Sequence, residues 1–542
     1  MDHGQRYETQ RIDHLGIVAG ISQEIGLIAE IDRLVGVSEK KVSHGQAVLA
    51  MILNALGFSG RALYLMPGYL HNKPVDLLIG SGLSAADFND DTLGRSLDAL
   101  YGRGVTEVFA QVASQALRVY NIEHEFVHLD SSSFHLHGQY ALEGPDQEAI
   151  TITYGYSRDH RPDLKQVVAQ IITSQRSALP IWLEVLSGNS SDKDSFAASV
   201  VAYCKSLGEA PKPYFVMDSA GYSAENLKTM AGVWWVTRVP ETLNEAQKLV
   251  RETYSEEMLS LKTGYKGKEI SIVYAGIKQR WLLVYSEAGY QRELQGLLRA
   301  QARELLQAEK DWRKLCQQTY KCQADAEQAV QRFNQKWKYH QVTAQFEPVK
   351  KYAHPGRPTT TDEPEITGYY PIGSVTVIAK AVEEAKKTLG KFIVATNQTD
   401  PEKLPTKALL DHYTEQGISV ERGFRFLKDP LFFAHSLFLK KPGRIMALMM
   451  IMVLALLIYA LAERQLRQAL AENHETIPDQ KGKPTQTPTI RWVFQLFEGL
   501  DVLSVWQGDR LAVRQLLNLR PVHLQILMLF GQATQNCYLV DS

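Results

Sequence analysis

Three acidic residues stand in stretches of the chain whose chemistry would fit a metal site. Asp130 ends the apolar run FVHLD, and Asp218 ends the apolar run YFVMD. Short apolar runs of this kind are typical of buried strands, so we expect each aspartate where an apolar strand stops. Glu421 opens the stretch ERGFRFLK, which ends at Lys428 and which we interpret as part of a helix. Two strands and one helix would then present three carboxylates.

Such a group of carboxylates suits Mg²⁺, a hard ion that prefers oxygen ligands and keeps some of its water. In a two-metal site, one ion activates a water or a 3′-hydroxyl and the other stabilises the leaving oxygen during in-line displacement. The residues therefore predict chemistry on phosphodiesters, with Asp130, Asp218 and Glu421 as catalytic groups and metal ligands. We expect two Mg²⁺ ions, with Mn²⁺ able to replace them.

The predicted helix adds a basic surface to these carboxylates. In a helix, Glu421, Arg425 and Lys428 share one face, while an apolar stripe on another face can pack on a sheet. Residues 420–444 contain six basic residues, Arg422 among them, and two acidic ones, which gives a net charge of +4. This segment predicts a track for DNA phosphates on a chain whose overall charge is −1.

Each feature also has a plainer interpretation. An aspartate after a strand is usually a turn residue, and basic residues after a helix usually face solvent. His135 and His137 are either a metal-binding pair or one half-exposed face of a strand. The charged residues between Arg158 and Lys165 either touch a substrate or form a solvated loop. The three acidic stretches together, in this order, are more specific than any one of them alone.

The length and composition favour a folded protein of several domains. A chain of 542 residues with 45% apolar and 22% charged residues is too long for one ordinary core, so we expect about two to four domains. Four cysteines without paired zinc-site spacing favour a reduced, cytosolic setting without structural disulfides. The first residues, MDHG, are polar and do not resemble a signal peptide.

One segment competes with the interpretation as a soluble protein. Residues 445–462 are 18 residues without a charge, which is just long enough for a membrane span. A helix that is apolar on all sides can also lie inside a large protein core. We favour the buried helix and expect no membrane partner, because the segment stands alone and follows Glu421 closely.

The texture of the sequence divides the chain into five parts. Residues 1–120 have helical periodicity and predict a compact helical domain that could bind DNA ends, and residues 121–240 have a mixed strand and helix pattern. Residues 241–390 predict an insertion domain with a long helical segment, residues 391–475 resume the core, and residues 476–542 form a C-terminal appendage.

The second part predicts an α/β core. An RNase H-like core has three strands, a helix, a strand, a helix and a strand. Four strand-like runs precede the first helix here, at residues 125–130, 149–155, 166–173 and 180–186. We therefore interpret residues 180–186 as a continuation of the third strand after a bend.

Several longer motifs resemble those of a known family. They are GYSRDHRPDLKQ at residues 155–166, GNSSD at residues 188–192, MDSA at residues 217–220 and VERGFRFLK at residues 420–428. With these motifs the chain resembles prokaryotic DDE insertion-sequence transposases of the cut-and-paste superfamily that carries a Y-R-E-K signature. The resemblance implies an RNase H-like α/β core that an insertion domain interrupts before the catalytic glutamate, together with a helical N-terminal domain.

The resemblance also implies roles for single residues. Asp130, Asp218 and Glu421 match the metal-binding triad, and Lys428 matches the signature lysine that contacts a DNA phosphate near the cleavage point. The signature positions for tyrosine and arginine fall on Thr414 and Gly417. Further DNA-binding residues that we expect are Arg422, Arg425 and Tyr413, the last of which lies one position before the signature tyrosine.

The activity implied by the resemblance is that of a DNA transposase. Such an enzyme cleaves the ends of its insertion sequence and joins them to target DNA, and related enzymes form DNA hairpins. The implied partners are double-stranded DNA, with its terminal inverted repeats and its target, and a second copy of the chain in a homodimer on DNA. The implied location is the cytoplasm, at the nucleoid when DNA is bound. Alternatives are an RNase H-like nuclease or resolvase, and a transposase-derived DNA-binding protein without catalytic activity.

Overall fold

A computed structural model describes most of the chain. The described residues are 5–59, 61–122, 124–138, 140, 150–175, 178–352, 363–429 and 439–539. Within the helix that contains Glu421, the backbone of residues 416–422 is described but their side chains are not.

The centre of the molecule is a nine-stranded sheet, and five of its strands form an RNase H-like core. These five strands and two helices are β2 (Phe126–Leu136), β3 (Lys165–Ser174), β4 (Pro180–Ser187), α8 (Asp192–Ser206), β5 (Tyr214–Met217), α9 (Ala224–Thr229) and β6 (Trp235–Arg238). The spatial order is β4-β3-β2-β5-β6. The first three strands are antiparallel, β5 is parallel to β2, and β6 is parallel to β5. This arrangement confirms the predicted α/β fold class.

Two strand assignments made from the sequence are wrong. Residues 180–186 belong to β4, which pairs antiparallel with β3 and so is a separate strand instead of a bent continuation of the third one. Of the four strand-like runs before the first helix, the one that is not a strand of the core is the run at residues 149–155. Of its described part, only Thr153 joins the sheet, through an isolated bridge to Gln166. Its apolar residues Ile150 and Ile152 are buried, so the run resembles a strand because it packs against the core.

The chain between residues 240 and 390 partly extends the same sheet. It contains α10 (Asn244–Glu252), β7 (Leu259–Lys262), β8 (Tyr265–Tyr274), β9 (Ile277–Ser286), α11 (Glu287–Cys316), α12 (Gln323–Asn334), β10 (His340–Val342), β11 (Gln345–Lys351), β12 (Glu365–Ile372), β13 (Val375–Val377) and α13 (Ala379–Lys386). Strands β7 to β9 continue the sheet through β9 beside β14 (Lys391–Thr396), which in turn pairs with β6. The predicted long helical segment corresponds to α11, whose Trp312 packs against Phe333 of α12. The predicted boundaries of the insertion domain stay predictions.

Helices enclose one end of this sheet. The N-terminal region comprises β1 (Gln5–Arg11), α1 (Leu15–Glu24), α2 (Leu27–Val35), α3 (His44–Leu56), α4 (Met66–Leu70), α5 (Val75–Leu78), α6 (Asp90–Arg103) and α7 (Val105–Val119). The C-terminal region comprises α14 (Thr406–Leu427), α15 (Pro442–Glu472), β15 (Ile477–Pro478), β16 (Pro484–Thr485), α16 (Ile490–Leu496), β17 (Asp501–Gln507), β18 (Arg510–Leu517), α17 (Pro521–Met528) and α18 (Gln532–Cys537). The N-terminal region is helical, as predicted, except for β1.

The long apolar helix α15 lies inside the protein. Among the described residues it is the one helix long and apolar enough to cross a membrane, and 83% of its apolar window is buried. It packs against α1, α3, α6 and α7 and against β4, so the N-terminal helices cover it. Its uncharged stretch is explained by this burial, because a helix surrounded by protein has no solvent-facing side.

The C-terminal segment closes onto the N-terminal region. Strand β17 pairs with β1 over Gln5–Arg11, and β18 adds a third strand. The side chain of Tyr538 is buried, and its hydroxyl donates to the carbonyl of Asp13 over 2.6 Å. Residues near both ends of the chain therefore share one hydrophobic core, a contact that the sequence did not predict.

The two faces of the central sheet have different partners. On one face, Val127 and Leu129 of β2 and Phe215 and Met217 of β5 pack with α8 and α9. The opposite face carries Phe126 and Val216, which pack with Leu409 and Leu410 of α14. Alternation along a strand therefore assigns even-numbered residues of β2 and β5 to the face covered by α14.

Candidate functional site

The two aspartates lie side by side on neighbouring strands. Leu129 of β2 is the register partner of Met217 of β5, so Asp130 and Asp218 follow paired positions on parallel strands about 5 Å apart. Asp218 directly follows the end of β5, as predicted. Asp130 does not end its strand, because β2 continues to Leu136. Strand β5 ends at Met217, the register partner of Leu129. From Asp130 onward β2 no longer pairs with β5, and the apolar run stops at this point.

Both carboxylates face the side of the sheet that α14 covers. They continue the even-numbered series of Phe126 on β2 and Val216 on β5, both of which pack with α14. One oxygen of each side chain is fixed by a backbone N–H. Ser131 N donates to Asp130 Oδ1 over 2.7 Å, and Ala220 N donates to Asp218 Oδ1 over 2.9 Å.

The environment favours the protonated form of both groups. Burial raises the pKa of Asp130 to about 6, with a smaller upward effect from Asp218 and Asp192 and an opposing effect from Arg158. Burial also raises the pKa of Asp218, and the charge of Asp192 adds to the rise. Clustered, desolvated carboxylates are an arrangement that a bound divalent cation would relieve.

A fourth group, Asp192, joins the site from the first turn of α8. Its carboxylate accepts from the hydroxyl of Ser131 and from the guanidinium of Arg158. The same guanidinium lies 3.3 Å from Asp130 Oδ1, measured from Nη1, and also donates to the carbonyl of Ser131. Asp192 was not among the predicted site residues, although it ends the motif GNSSD that carried part of the resemblance.

Helix α14 runs along β2, which locates the backbone of Glu421. Near the start of the strand, the ring of His412 stacks on Phe126 with centroids 3.5 Å apart. Near its end, the rings of Phe424 and Phe134 are 6.5 Å apart. Glu421 is one helical turn before Phe424, so its backbone lies over the part of β2 that contains Asp130. The side chains of Glu421 and Arg422 lie outside the described residues.

Lys428 ends α14 beside a charged loop. Its Nζ lies 2.8 Å from Asp159 Oδ1 and 2.9 Å from Asp159 Oδ2, and it sits 5.6 Å from the centre of the Phe134 ring. Asp159 also lies 3.7 Å from Nδ1 of His135, measured from Oδ2. Asp159, the residue after Arg158, therefore lies in the site and contacts Lys428 and His135, both of which the sequence analysis singled out.

Arg425 points to a different side of α14 from Lys428. It lines a groove of about 1060 Å³ between α14, α15 and the start of α16. The charged residues of this groove are four arginines and two acids: Arg425, Arg464, Arg467, Arg491, Asp429 and Glu463. Four arginines against two acids give the groove a positive net charge, and within it Arg467 pairs with Glu463 and Arg491 pairs with Asp429. We define these residues as the arginine groove.

Tyr413 lies at the edge of the site and is half-buried against Phe392. Burial raises the pKa of its hydroxyl, the nearby guanidinium of Arg238 lowers it, and the charge of Asp218 raises it further. Arg238, which ends β6, therefore brings a cation close to Asp218 and Tyr413. The sequence analysis did not single out Arg238, because its relation to Asp218 arises only from the pairing of β5 and β6.

The donor set fits magnesium better than a soft metal. Asp130 and Asp218 each offer a second oxygen, Oδ2, for which no hydrogen bond is recorded among the described residues. Within the same residues no three His, Cys, Asp or Glu side chains already form a metal-binding group. The third predicted ligand, Glu421, is outside the described side chains. His135 and His137 lie with ring centroids 5.9 Å apart.

Comparison with protein families gives two matches that follow each other along the chain. Residues 7–114 match a family described as a domain of unknown function, DUF4277. Residues 122–458 match the family described as transposase DDE domain. The second match includes β2, β5 and α14, and it therefore contains all the elements that position the carboxylates.

Comparison with individual proteins adds little. No curated protein sequence matches the chain. Among solved structures, one match is a piggyBac transposase synaptic complex with hairpin DNA, with a TM-score of 0.39 and 8% identity over 91% of this chain and 82% of that chain. A similarity at this level carries no argument about the fold or the activity.

Proposed function

The chain belongs to the family of transposases with a DDE domain, and from this premise we propose that it cuts the ends of its insertion sequence and joins them to target DNA. The observation that carries the proposal is the placement of Asp130 and Asp218 directly after the paired positions Leu129 of β2 and Met217 of β5, on the face covered by α14. This placement leaves the helix that contains Glu421 as the source of a third carboxylate.

We assign the metal ligands to Asp130, Asp218 and Glu421. Bound Mg²⁺ or Mn²⁺ ions, two in this proposal, would activate the attacking hydroxyl and stabilise the leaving oxygen. The backbone N–H bonds to Asp130 and Asp218 hold the two carboxylates in place before an ion arrives. Their raised pKa values mean that an ion competes with a proton for the same oxygens.

DNA would lie along the C-terminal half of α14. Lys428 is positioned to hold the phosphate next to the cleavage point once it separates from Asp159. Arg425 and the arginine groove would hold phosphates farther along the duplex, because the net charge of −1 requires any attraction for DNA to be local. Arg422 and Tyr413 complete the proposed DNA contacts, and Arg238 supplies a cation near the position where the signature arginine is replaced by Gly417.

The partners follow from this activity. The proposed substrates are the terminal inverted repeats of the element and a target duplex, both of which are found at the nucleoid in the cytoplasm. Two ends must be cut together before they are joined to one target, so we propose that the enzyme acts as a homodimer on DNA. The N-terminal helical region is the proposed reader of the ends.

Cleavage and strand transfer on DNA with the element's own ends test the proposal. Wild type is compared with Asp130→Ala, Asp218→Ala and Glu421→Ala in Mg²⁺, Mn²⁺ or EDTA. We expect metal-dependent release of 3′ ends and joining to target, each reduced at least about 10³-fold by any of the three substitutions. Specific end binding without cleavage in either metal would indicate a binding protein. Cleavage without dependence on the repeats and without joining would indicate a nuclease.

A further inference from the structure

Residues 155–164 connect the bridge at Thr153 to β3 and place two opposite charges in the site. Arg158 contacts Asp130, Asp192 and both the carbonyl and the hydroxyl of Ser131 with its guanidinium. Its backbone N–H donates to the hydroxyl of Ser133 over 3.1 Å. These contacts fix the cation at the carboxylate to which the proposed function assigns a metal ion.

The next residue holds the proposed DNA-binding lysine. Both oxygens of Asp159 lie within hydrogen-bond distance of Lys428 Nζ. The side chains of Lys428 and Asp159 are 22% and 30% exposed, so water screens this ion pair less than a pair on the open surface. Lys428 therefore cannot hold a phosphate with its full charge while this contact lasts.

The two contacts resemble, in charge, those that the proposed substrates would make. Arg158 supplies positive charge to the carboxylates, as a metal ion would, and Asp159 supplies negative charge to Lys428, as a phosphate would. An ion bound to Asp130 would add two positive charges next to the guanidinium, and a DNA phosphate near Lys428 would be repelled by Asp159. Binding of either ligand would therefore weaken the corresponding contact.

We propose that Arg158 and Asp159 are an internal substitute for the metal ion and the DNA phosphate, and that the incoming ion and DNA displace both residues together. Without DNA, Asp159 thereby holds Lys428, and Arg158 offsets part of the negative charge of the carboxylates. Because the two residues are adjacent, displacement of one pulls on the other, which couples metal binding to DNA binding. This inference rests on the proposed function, since it assumes that Lys428 binds DNA.

The same loop contains a matched ion pair for comparison. Arg161 and Asp163 pair with each other at 2.8 Å, between Nη2 and Oδ2, and their side chains are 44% and 60% exposed. The described contacts of these two side chains are with each other and not with the carboxylates or Lys428. Substitutions at Arg161 and Asp163 therefore change the charge of the loop by the same amount as substitutions at Arg158 and Asp159. They leave the contacts of Arg158 and Asp159 intact.

Binding of a fluorescent end-repeat duplex in EDTA tests the role of Asp159. We expect Asp159→Asn to bind about fivefold more tightly than Asp163→Asn, because both remove one negative charge but only the first releases Lys428. In a Lys428→Ala background the advantage of Asp159→Asn should disappear. Equal binding by Asp159→Asn and Asp163→Asn, or a gain that persists without Lys428, would overturn the inference.

Calorimetric titration with Mn²⁺, without DNA, tests the role of Arg158. We expect Arg158→Ala to bind Mn²⁺ several-fold more tightly than Arg161→Ala, with thermal unfolding measured on both to verify that they are folded. Unchanged or weaker Mn²⁺ binding by folded Arg158→Ala would contradict the inference. If Arg158→Ala does not fold, the Asp159→Asn comparison decides. Failure of the wild type to bind end-repeat DNA at all would instead count against the proposed function. The Mn²⁺ comparison would still test whether Arg158 occupies the place of the metal ion.

Discussion

At the scale of single residues, the protein keeps acidic side chains together in a place that water reaches poorly. Burial raises the pKa of both Asp130 and Asp218, the charge of Asp192 adds to both increases, and the charge of Asp218 adds to that of Asp130. Such an arrangement costs stability unless a cation is present. Arg158 offsets part of that cost in the protein alone. A ligand that carries positive charge would therefore stabilise the site.

This cost predicts the effect of Asp130→Asn on stability. The pKa of Asp130 rises from 3.8 to about 6 on folding, so the folded state binds the proton more tightly than the unfolded state. The contribution of Asp130 to stability is thus present below pH 4 and is lost as the pH rises through about 6. At pH 8 without metal, we expect Asp130→Asn to raise the free energy of unfolding by about 2 kcal/mol.

Denaturant unfolding between pH 4 and pH 8 in EDTA measures this effect. The advantage of Asp130→Asn should shrink as the pH falls, because the wild-type aspartate becomes protonated. Asp509→Asn, in the exposed turn between β17 and β18, is the control and should show no such trend. A destabilised Asp130→Asn protein at pH 8 would mean that the ion pair with Arg158 outweighs the burial of the carboxylate.

Part of the site could be predicted residue by residue. Asp130 and Asp218 could be predicted because each ends an apolar run. The run before Asp130, however, ends where the pairing of β2 with β5 ends, and β2 itself continues to Leu136. The contacts of Arg158 with Asp192 could not, because 34 residues separate the two in the chain and only folding brings them together. Asp159 likewise meets Lys428 across 269 residues.

At the scale of elements, α14 and α15 pack closely where Gly423 faces Leu456. A Cβ at Gly423 would lie 3.2 Å from Leu456 Cδ2, so a larger residue there would fit only if the Leu456 side chain moved by a few tenths of an ångström. From the sequence alone, this glycine is only a loss of helix propensity. The close neighbour could not be predicted, because the distance between helices depends on the tertiary fold.

The burial of α15 predicts the cost of truncating one of its side chains. Leu454 is fully buried among the N-terminal helices, so Leu454→Ala should lower the free energy of unfolding by about 2–5 kcal/mol. Leu306→Ala in α11 is the control, because Leu306 is 68% exposed and its truncation should change the free energy of unfolding little. Chemical denaturation of detergent-free protein measures both. Equal small effects would mean that α15 is not packed inside the protein.

The apolar pattern of α15 alone could not decide between membrane and core. A run of 18 uncharged residues satisfies both, and only the elements around it distinguish them. For the same reason, residues 149–155 resembled a strand, since burial of Ile150 and Ile152 imposes alternation although only Thr153 of the described part pairs with the sheet.

At the scale of the whole molecule, the two ends of the chain form one body. The Cβ of an alanine at position 20 would lie 2.4 Å from Thr534 Cα, so α1 and α18 touch backbone to backbone. Gly20→Ala should therefore destabilise the protein by about 1–3 kcal/mol. The control is Gly102→Ala in α6, where a Cβ meets nothing within 4 Å and helix propensity favours alanine. Thermal unfolding should show a lower midpoint temperature for Gly20→Ala than for wild type, and an unchanged or higher one for Gly102→Ala.

The near-neutral chain predicts that DNA affinity comes from local patches. Arg425→Ala should weaken binding to all duplexes alike and reduce the slope of log affinity against log salt by about 1. Arg313→Ala on α11 is the control, because its side chain is 78% exposed and lies outside the arginine groove. Fluorescence anisotropy at several salt concentrations measures the slopes. An unchanged slope for Arg425→Ala would remove the groove from the DNA path.

The overall architecture was predictable where elements are local and not where distant segments meet. Between residues 126 and 238, apolar runs predict the alternation of strands and helices of an RNase H-like core, although they wrongly assigned residues 149–155 and 180–186. The pairing of β1 with β17 could not, since neither strand has a pattern that specifies a partner about 490 residues away.

The central claim is that Asp130, Asp218 and Glu421 surround the same metal ions. Fe²⁺ in place of Mg²⁺, with ascorbate and peroxide, generates hydroxyl radicals that cut the backbone close to the bound ion, and mass spectrometry maps the cuts. We predict cuts near residues 130, 218 and 421 that excess Mg²⁺ suppresses and that Asp130→Asn abolishes together. Cuts near 130 and 218 without any near 421, or cuts that Mg²⁺ does not suppress, would contradict the account.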